Sequence, residues 1–211
     1  MWVAGLAAGA ALVAGWRVAG RGYVWLSAAV VALVGTGLGV IAGDHLAWLG
    51  TGAVVVAAVA ANRPMVAVSA FLAATALFFV VGLGDSAVIP LVTGAVFLGS
   101  VTTEMMLGHW FLVDPKLPRW SLTRLAFIGA GGLSSDVVYL ANRGLMAGAA
   151  DEPILGWAYL ALATMTALLI AGVVFSLREP GYAGVMAATG LSYLAVLTAF
   201  GVAVLGRLLV A

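Results

Sequence analysis

Two acidic residues, Glu104 and Asp136, stand inside long apolar stretches of the sequence. An ionised carboxylate is costly in hydrocarbon, so such a group is protonated, hydrogen-bonded or turned toward another helix. Intramembrane carboxyls often bind or relay protons, which makes both residues candidates for a functional site. The alternative is that each one only holds two helices together through a backbone carbonyl or a hydroxyl.

Asp136 is accompanied by further polar residues at helical spacing. Asp136, Tyr139 and Arg143 are three and four residues apart, so they project from one face of a helix. Asn142 lies beside them, and the group predicts a polar stripe that cannot comfortably face lipid. Arg143 is then either the counter-charge of a proton-carrying site or, like Tyr139, a group that simply satisfies Asp136 within a packing network.

His109 and Trp110 offer a third kind of chemistry. Two histidines commonly hold haem inside a helical bundle, but His45 falls in a connector on the opposite side of the predicted membrane. A quinone or haem bound by His109, Trp110 and Tyr139 remains open as a redox alternative. We expect no metal site, because the deep residues provide too few ligands, and we predict no catalytic residue.

The sequence that must position these groups is strongly apolar. It is 64% hydrophobic and 8% charged over 211 residues, whereas a soluble domain is about a quarter charged. The absence of cysteine excludes disulfides and thiolate metal sites, and a net charge of +1 excludes a strong nucleic-acid-binding field. These features predict an all-α membrane bundle, a single transmembrane domain over residues 1–211, with the lipid bilayer as its first partner.

The apolar segments have the length of membrane spans. About 20 apolar residues cross the hydrocarbon core of a bilayer, and connectors rich in proline, glycine and charge divide the chain at about that interval. We predict eight transmembrane helices, with seven as the alternative. The eight segments are 1–16, 23–42, 46–61, 65–83, 87–113, 125–142, 154–177 and 182–206.

The charges of the connectors predict the orientation. Basic residues are retained on the cytoplasmic side of a membrane, and seven of the nine fall in alternate connectors. The opposite connectors carry acidic residues, with Arg143 and Arg207 as exceptions, so both termini are predicted outside the cytoplasm. The seven basic residues are Arg17, Arg21, Arg63, Lys116, Arg119, Arg124 and Arg178, and the acidic ones are Asp44, Asp85, Asp151 and Glu152.

The fifth and sixth spans are joined by a short connector, so we expect them to be antiparallel neighbours. Counted from the predicted span ends, Glu104 and Asp136 then lie at comparable depth and could form one two-carboxyl site. Glycine-rich segments in the second and sixth spans, 35–39 and 129–132, also echo each other. This weak echo would suit a four-plus-four internal duplication, and the alternative is that glycine-rich helices resemble each other by chance.

Residues 106–117, with Gly108, His109 and Trp110 near their start, resemble a segment that recurs in bacterial multi-pass membrane proteins, and residues 188–195 resemble the last-span sequence of the same group. That group has no established function. The resemblance implies a bacterial cytoplasmic membrane and draws attention to His109 and Trp110. In the connector that follows, Lys116, Arg119 and Arg124 are candidates to contact lipid headgroups or a partner subunit, or they serve only to anchor the topology.

The sequence leaves three functional hypotheses. The leading one is a non-enzymatic subunit of a larger membrane assembly, with an energy-transducing assembly as the narrower form, built around a buried polar site on the fifth and sixth spans. The second is a stand-alone transporter of protons or a small solute that uses Glu104 and Asp136. The third is a quinone- or haem-binding redox protein.

Overall fold

The computed structural model describes residues 1–84 and 87–211, which form nine α-helices and no strand. Eight of the helices are long, and one is a single short segment within a connector. They are α1 (Trp2–Trp16), α2 (Arg21–Ala42), α3 (His45–Val59), α4 (Pro64–Leu83), α5 (Val88–Trp110), α6 (Arg119–Asn142), α7 (Leu145–Asp151), α8 (Pro153–Ser176) and α9 (Tyr182–Leu208).

The helix ends lie at the breaker residues of the sequence. Pro64 and Pro153 are the first residues of α4 and α8, a position where proline's missing N–H costs nothing. Gly43 ends α2 with a left-handed φ of 63°, which glycine adopts without steric cost. Asp44 then caps α3, because its side chain accepts a hydrogen bond of 2.7 Å from the Leu46 N–H.

The eight long helices correspond to the eight predicted segments, with shifted ends around one connector. α5 ends at Trp110 rather than at residue 113, and α6 begins at Arg119 rather than at residue 125. The short helix α7 was not predicted. Asp85, which was assigned to a connector with the other acidic residues, lies outside the described residues.

Five of the helices, α2, α4, α5, α8 and α9, are long and apolar enough to cross a membrane. The helices α1 and α3 are apolar but shorter, with 15 residues each. α6 is 24 residues long, but its serines and charged residues make it less apolar than the others. The chain is a multi-pass membrane protein built as a helical bundle.

The helices pack as two groups with the same internal arrangement. In the first half, α1–α4, the first and third helices each pack against the second and the fourth. In the second half, α5–α9, the helices α5 and α8 each pack against α6 and α9, which repeats the arrangement of the first half. This arrangement is consistent with the four-plus-four echo of the sequence, since α2 and α6 occupy equivalent places.

The two halves meet mainly where α1 crosses α5. A Cβ on Gly5 would collide with the Ala95 carbonyl and lie 2.9 Å from the Gly99 Cα, and a Cβ on Gly9 would collide with Thr103. The crossing therefore depends on glycine, as close helix contacts in membranes commonly do.

The packing of α5 against α6 and α9, which run in the opposite direction, defines two ends of the bundle. At one end α5 begins while α6 and α9 terminate, and we call it the Asp136 end. At the other end α5 terminates while α6 and α9 begin, and we call it the His109 end.

Candidate functional site

The candidate site is organised by α5, the most enclosed of the five long apolar helices. α5 packs against α1, α6 and α9, so its polar side chains face protein rather than lipid. Ser100, Thr102, Thr103 and Glu104 are all buried. A helix with this much polar surface is stable in a membrane only when its neighbours enclose it.

Glu104 is the one of the two buried carboxyl groups that forms no ion pair among the described residues. Its side chain is 3% exposed, and the Ser192 hydroxyl of α9 lies beside the carboxyl group. Among the described residues, the Glu104 Oε1 atom has no hydrogen-bond partner. A buried polar atom that remains unsatisfied in this way is uncommon, and Glu104 carries the one such carboxyl oxygen among the described residues.

Asp136, in contrast, is fully satisfied. It is completely buried on α6 and forms a two-pronged ion pair with Arg207 of α9, with nitrogen–oxygen distances of 3.0 and 2.9 Å. The Thr93 hydroxyl of α5 donates a third hydrogen bond of 2.7 Å to Asp136. The carboxylate thus joins three helices at one end of the bundle.

The guanidinium group of Arg207 is nearly saturated as well. Besides Asp136, it donates hydrogen bonds to the backbone carbonyls of Ala203, at 3.2 Å, and Pro90, at 3.1 Å. These contacts occupy four of the five N–H groups of an arginine. Arg207 also borders a cavity of about 260 Å³ at the Asp136 end, but a guanidinium already bonded in this way has little left to hold an anionic ligand. The arrangement is that of a clamp, and we call Thr93, Asp136 and Arg207 the charge clamp.

Glu104 and Asp136 do not form one site, and the prediction of comparable depth is wrong. The residue of α5 that reaches Asp136 is Thr93, and Glu104 follows it by eleven residues, or roughly 16 Å along a helix. The glycines of α6 show the same register, because Gly132 lies against Phe97 and Gly129 against Ser100 and Val101. The prediction failed because α5 and α6 are antiparallel and end on opposite sides of the bundle. Glu104 is six residues before the end of α5, at the His109 end, and Asp136 is six residues before the end of α6, at the Asp136 end.

The predicted polar stripe on α6 is only partly assembled. Arg143 is exposed at the end of α6, and Asn142 donates its side-chain N–H to the Val138 carbonyl. Tyr139 is half-buried and lines a surface cavity with Thr93 and the α6 serines. In the described part of the chain, neither Tyr139 nor Arg143 forms a hydrogen bond to Asp136, and the counter-charge is Arg207.

His109 and Trp110 lie at the opposite end from Tyr139. The His109 Nδ1 atom is 3.0 Å from the Tyr193 hydroxyl, and the Trp110 ring packs edge-on against Tyr23, with 6.3 Å between ring centroids. Because Tyr139 is near the Asp136 end, the three residues cannot line one quinone or haem pocket. Within residues 1–84 and 87–211, no three histidine, aspartate or glutamate side chains are grouped so that they could hold a metal ion.

The basic residues of the connector between α5 and α6 have different environments. Arg119 donates hydrogen bonds to the backbone carbonyls of Glu179, Pro180 and Gly181, which ties the start of α6 to the connector before α9. Arg124 stacks over the Trp120 ring at 4.5 Å, and Lys116 is exposed. Of the three, Lys116 and Arg124 remain available to lipid headgroups.

Sequence reasoning missed Arg207, Thr93 and Ser192. Arg207 was set aside as an exception to the charge rule, although an arginine inside the last turns of an apolar segment is itself a signal that a buried acid pairs with it. Thr93 and Ser192 give no such signal, because hydroxyl residues are common in membrane helices and often bond only to their own backbone.

No protein-family model matches the chain, and the comparisons with curated proteins and with solved structures found no match either.

Proposed function

We propose that the chain is an eight-span protein of the bacterial inner membrane that works as a non-enzymatic subunit of a larger, energy-transducing membrane assembly. All eight long helices cross the bilayer in this proposal. α1, with 15 residues, is mostly buried among α2, α4 and α5, so it needs little lipid contact of its own. Large apolar side chains such as Ile41, at 87% exposure, and Ile154, at 83%, are then covered by lipid.

The distribution of charge supports an orientation with both termini outside the cytoplasm. The seven basic residues of the alternate connectors all lie in connectors or helix ends at the His109 end of the bundle. Asp44, Asp151 and Glu152 lie at the Asp136 end, with Arg143. By the positive-inside rule, the His109 end faces the cytoplasm.

The subunit role is supported by one observation above all, an open groove between the two halves. The groove holds about 360 Å³ and is lined almost entirely by apolar atoms. Its floor is made of small residues of α1 and α5, namely Ala4, Gly5, Ala8, Gly9 and Ala95, and its walls come from α4 and α6. Helices associate in membranes by close packing at small residues, so the groove fits an apolar helix of a partner subunit.

The test is to purify the tagged protein from its native membrane in mild detergent and to identify the proteins that accompany it. Ala8→Trp fills the groove, whereas Ala73→Trp places the same side chain on an exposed position of α4 outside it. We expect a defined partner with the wild type and with Ala73→Trp, and its loss with Ala8→Trp. A single monodisperse chain, without partners in any variant, would refute the subunit role.

A second candidate, a stand-alone proton or solute transporter, is favoured by the matching arrangement of the two halves, because many transporters are built from repeats. This candidate requires that the halves move relative to each other around a buried group such as Glu104. Transport by the purified protein in liposomes, abolished by Glu104→Gln, would support it. Liposomes that hold a proton gradient equally well with and without the protein would exclude proton transport.

A further inference from the structure

Glu104 has an unusual neighbour for a carboxyl group, because the Ser192 hydroxyl beside it has already donated its proton. The Ser192 hydroxyl donates to the Ala188 carbonyl at 2.8 Å, and the Thr189 hydroxyl, one turn away on α9, donates to the Val185 carbonyl at 2.9 Å. A serine or threonine hydroxyl has one proton to give and lone pairs to accept with. Ser192 therefore presents only lone pairs to Glu104.

The same is true on α5 itself. Ser100, four residues before Glu104 and on the same helix face, has its hydroxyl proton taken up by the backbone carbonyls of Val96 and Phe97. An ionised carboxylate has lone pairs only, so it would face acceptors without a donor. A protonated carboxyl can donate its own O–H to Ser192, which makes it the form that this environment accommodates.

The helix contact around Glu104 leaves little room for water to supply the missing donor. A Cβ on Gly108, one turn after Glu104, would lie 2.8 Å from the Thr189 Oγ1 atom. Ser192 is fully buried, and Leu107 of α5 and Leu125 of α6 are buried as well. α5 and α9 thus lie in close contact at the level of Glu104.

The charged groups of the surrounding helices do not neutralise Glu104. The one salt bridge among the described residues joins Asp136 and Arg207. The backbone of Arg124 in α6 lies near the level of Glu104, but the side chain is exposed and its guanidinium stacks over Trp120. The remaining titratable or charged groups on helices that pack against α5 are Arg119, Asp136 and Tyr139 of α6, Tyr182, Tyr193 and Arg207 of α9, and Arg21 and Tyr23 of α2; α1 and α4 carry none.

We propose that Glu104 is a proton-binding site, with Ser192 as the acceptor of the bound proton, and that loss of this proton loosens the contact between α5 and α9. The oxygen lone pairs of this site suit a small monovalent cation. We assign this cation as a proton. The charge clamp at the Asp136 end takes no part in the binding. The inference rests on the proposed placement of α5 and α9 in the membrane, and it specifies what an energy-transducing subunit would bind.

The first experiment is infrared spectroscopy of the protein reconstituted in lipid at neutral pH. The other acidic residues that the structure describes lie in connectors or at helix ends, or are paired. We therefore expect a carboxylic-acid C=O band from Glu104, which Glu104→Gln removes and Glu152→Gln, at an exposed position, leaves unchanged. Ser192→Ala should shift the same band, because it removes the acceptor. The absence of a carboxylic-acid band in the wild-type protein would overturn the proposal, whether or not the variants fold.

Salt distinguishes the proton from a metal cation. If Glu104 binds a proton, the band persists when sodium chloride replaces potassium chloride at constant pH. Loss of the band in sodium but not in potassium would overturn the assignment and identify a sodium site. A protein that keeps the band but purifies without partners would contradict the subunit role alone, so the two proposals can fail separately.

The consequence for α9 is measured by hydrogen–deuterium exchange after raising the pH. Exchange in the part of α9 around Ser192 should increase in the wild-type protein, after correction for the intrinsic effect of pH, and should not increase in Glu104→Gln, which keeps the neutral form. His109 contacts Tyr193 of α9 in this region, and His109→Gln is the control for that contact. An equal increase in wild type and Glu104→Gln would overturn the link between the proton and the helix contact.

Discussion

The first half of the bundle, α1–α4, and the second half, α5–α9, have the same helix order but different interiors. In the first half, the charged residues that the structure describes stand only in connectors or at helix ends, and the buried hydroxyl groups described there are those of Tyr23 and Ser27. The second half encloses Glu104, Asp136 and Arg207 together with several hydroxyls. The same arrangement of four helices can therefore be built with or without buried ionic groups, and both Glu104 and the charge clamp lie in the second half.

The largest effect should come from removing one partner of the charge clamp. Arg207→Leu leaves Asp136 buried without its counter-charge, which costs about 3 kcal/mol or more. Replacing both residues by leucine should recover most of this loss, since two apolar side chains leave no charge unpaired. Thermal unfolding in detergent measures both, with Arg63→Leu in the first half as the exposed control. A double variant as unstable as Arg207→Leu would show that the clamp does more than balance charge.

The contact that joins the halves should be next in size. Gly5→Ala places a methyl group against the backbone of Ala95 and Gly99 and should cost about 2 kcal/mol. Gly37→Ala, also within a helix of the first half, meets no atom within 4 Å and should be neutral or slightly stabilising. The same unfolding assay compares them. Equal stability of the two variants would mean that α1 and α5 are not in backbone contact.

A hydroxyl in each half gives a finer comparison. Thr93→Val removes a hydrogen bond to the buried Asp136 carboxylate and should cost about 1.5 kcal/mol. Thr75→Val, in α4, removes only a bond to the Phe71 carbonyl of its own helix, so we expect a change below about 0.5 kcal/mol. If both variants lose the same amount, Thr93 contributes no more than an ordinary helix hydroxyl.

The smallest effect concerns a connector of the first half. Asp44→Ala removes the cap of α3 and should lower the stability by about 1 kcal/mol, whereas Asp44→Ser should retain most of the cap. The difference in unfolding temperature between the two variants gives the measurement. A larger loss than for Arg207→Leu would reverse the contrast between the halves.

Much of the fold could be predicted from the sequence because apolar length and breaker residues determine where helices lie in a membrane. Burial of Glu104 and Asp136 could also be predicted, since lipid does not accommodate them. Their relative position could not. It depends on how α5 and α6 are aligned along each other. α5 ends at Trp110, before the end of its apolar segment, whereas α6 begins at Arg119, before its apolar segment starts.

The pairing of Asp136 was unpredictable for a related reason. Arg143 is at helical spacing from Asp136, so local geometry favours it, but the true partner is 71 residues away on α9. Helical spacing identifies possible partners of Asp136 on its own helix. Which arginine reaches Asp136 is determined by the packing of α9 against α5 and the end of α6.

The burial of α1 has a consequence for how the protein is made. Most of α1 is enclosed by helices that are synthesised after it, and its glycine contact to Gly99 joins residues 94 positions apart in the chain. α1 can therefore complete its contacts only after α4 and α5 have been synthesised, when about half of the polypeptide exists. The packing of α1 is thus completed only when α5, the first helix of the second half, has been made.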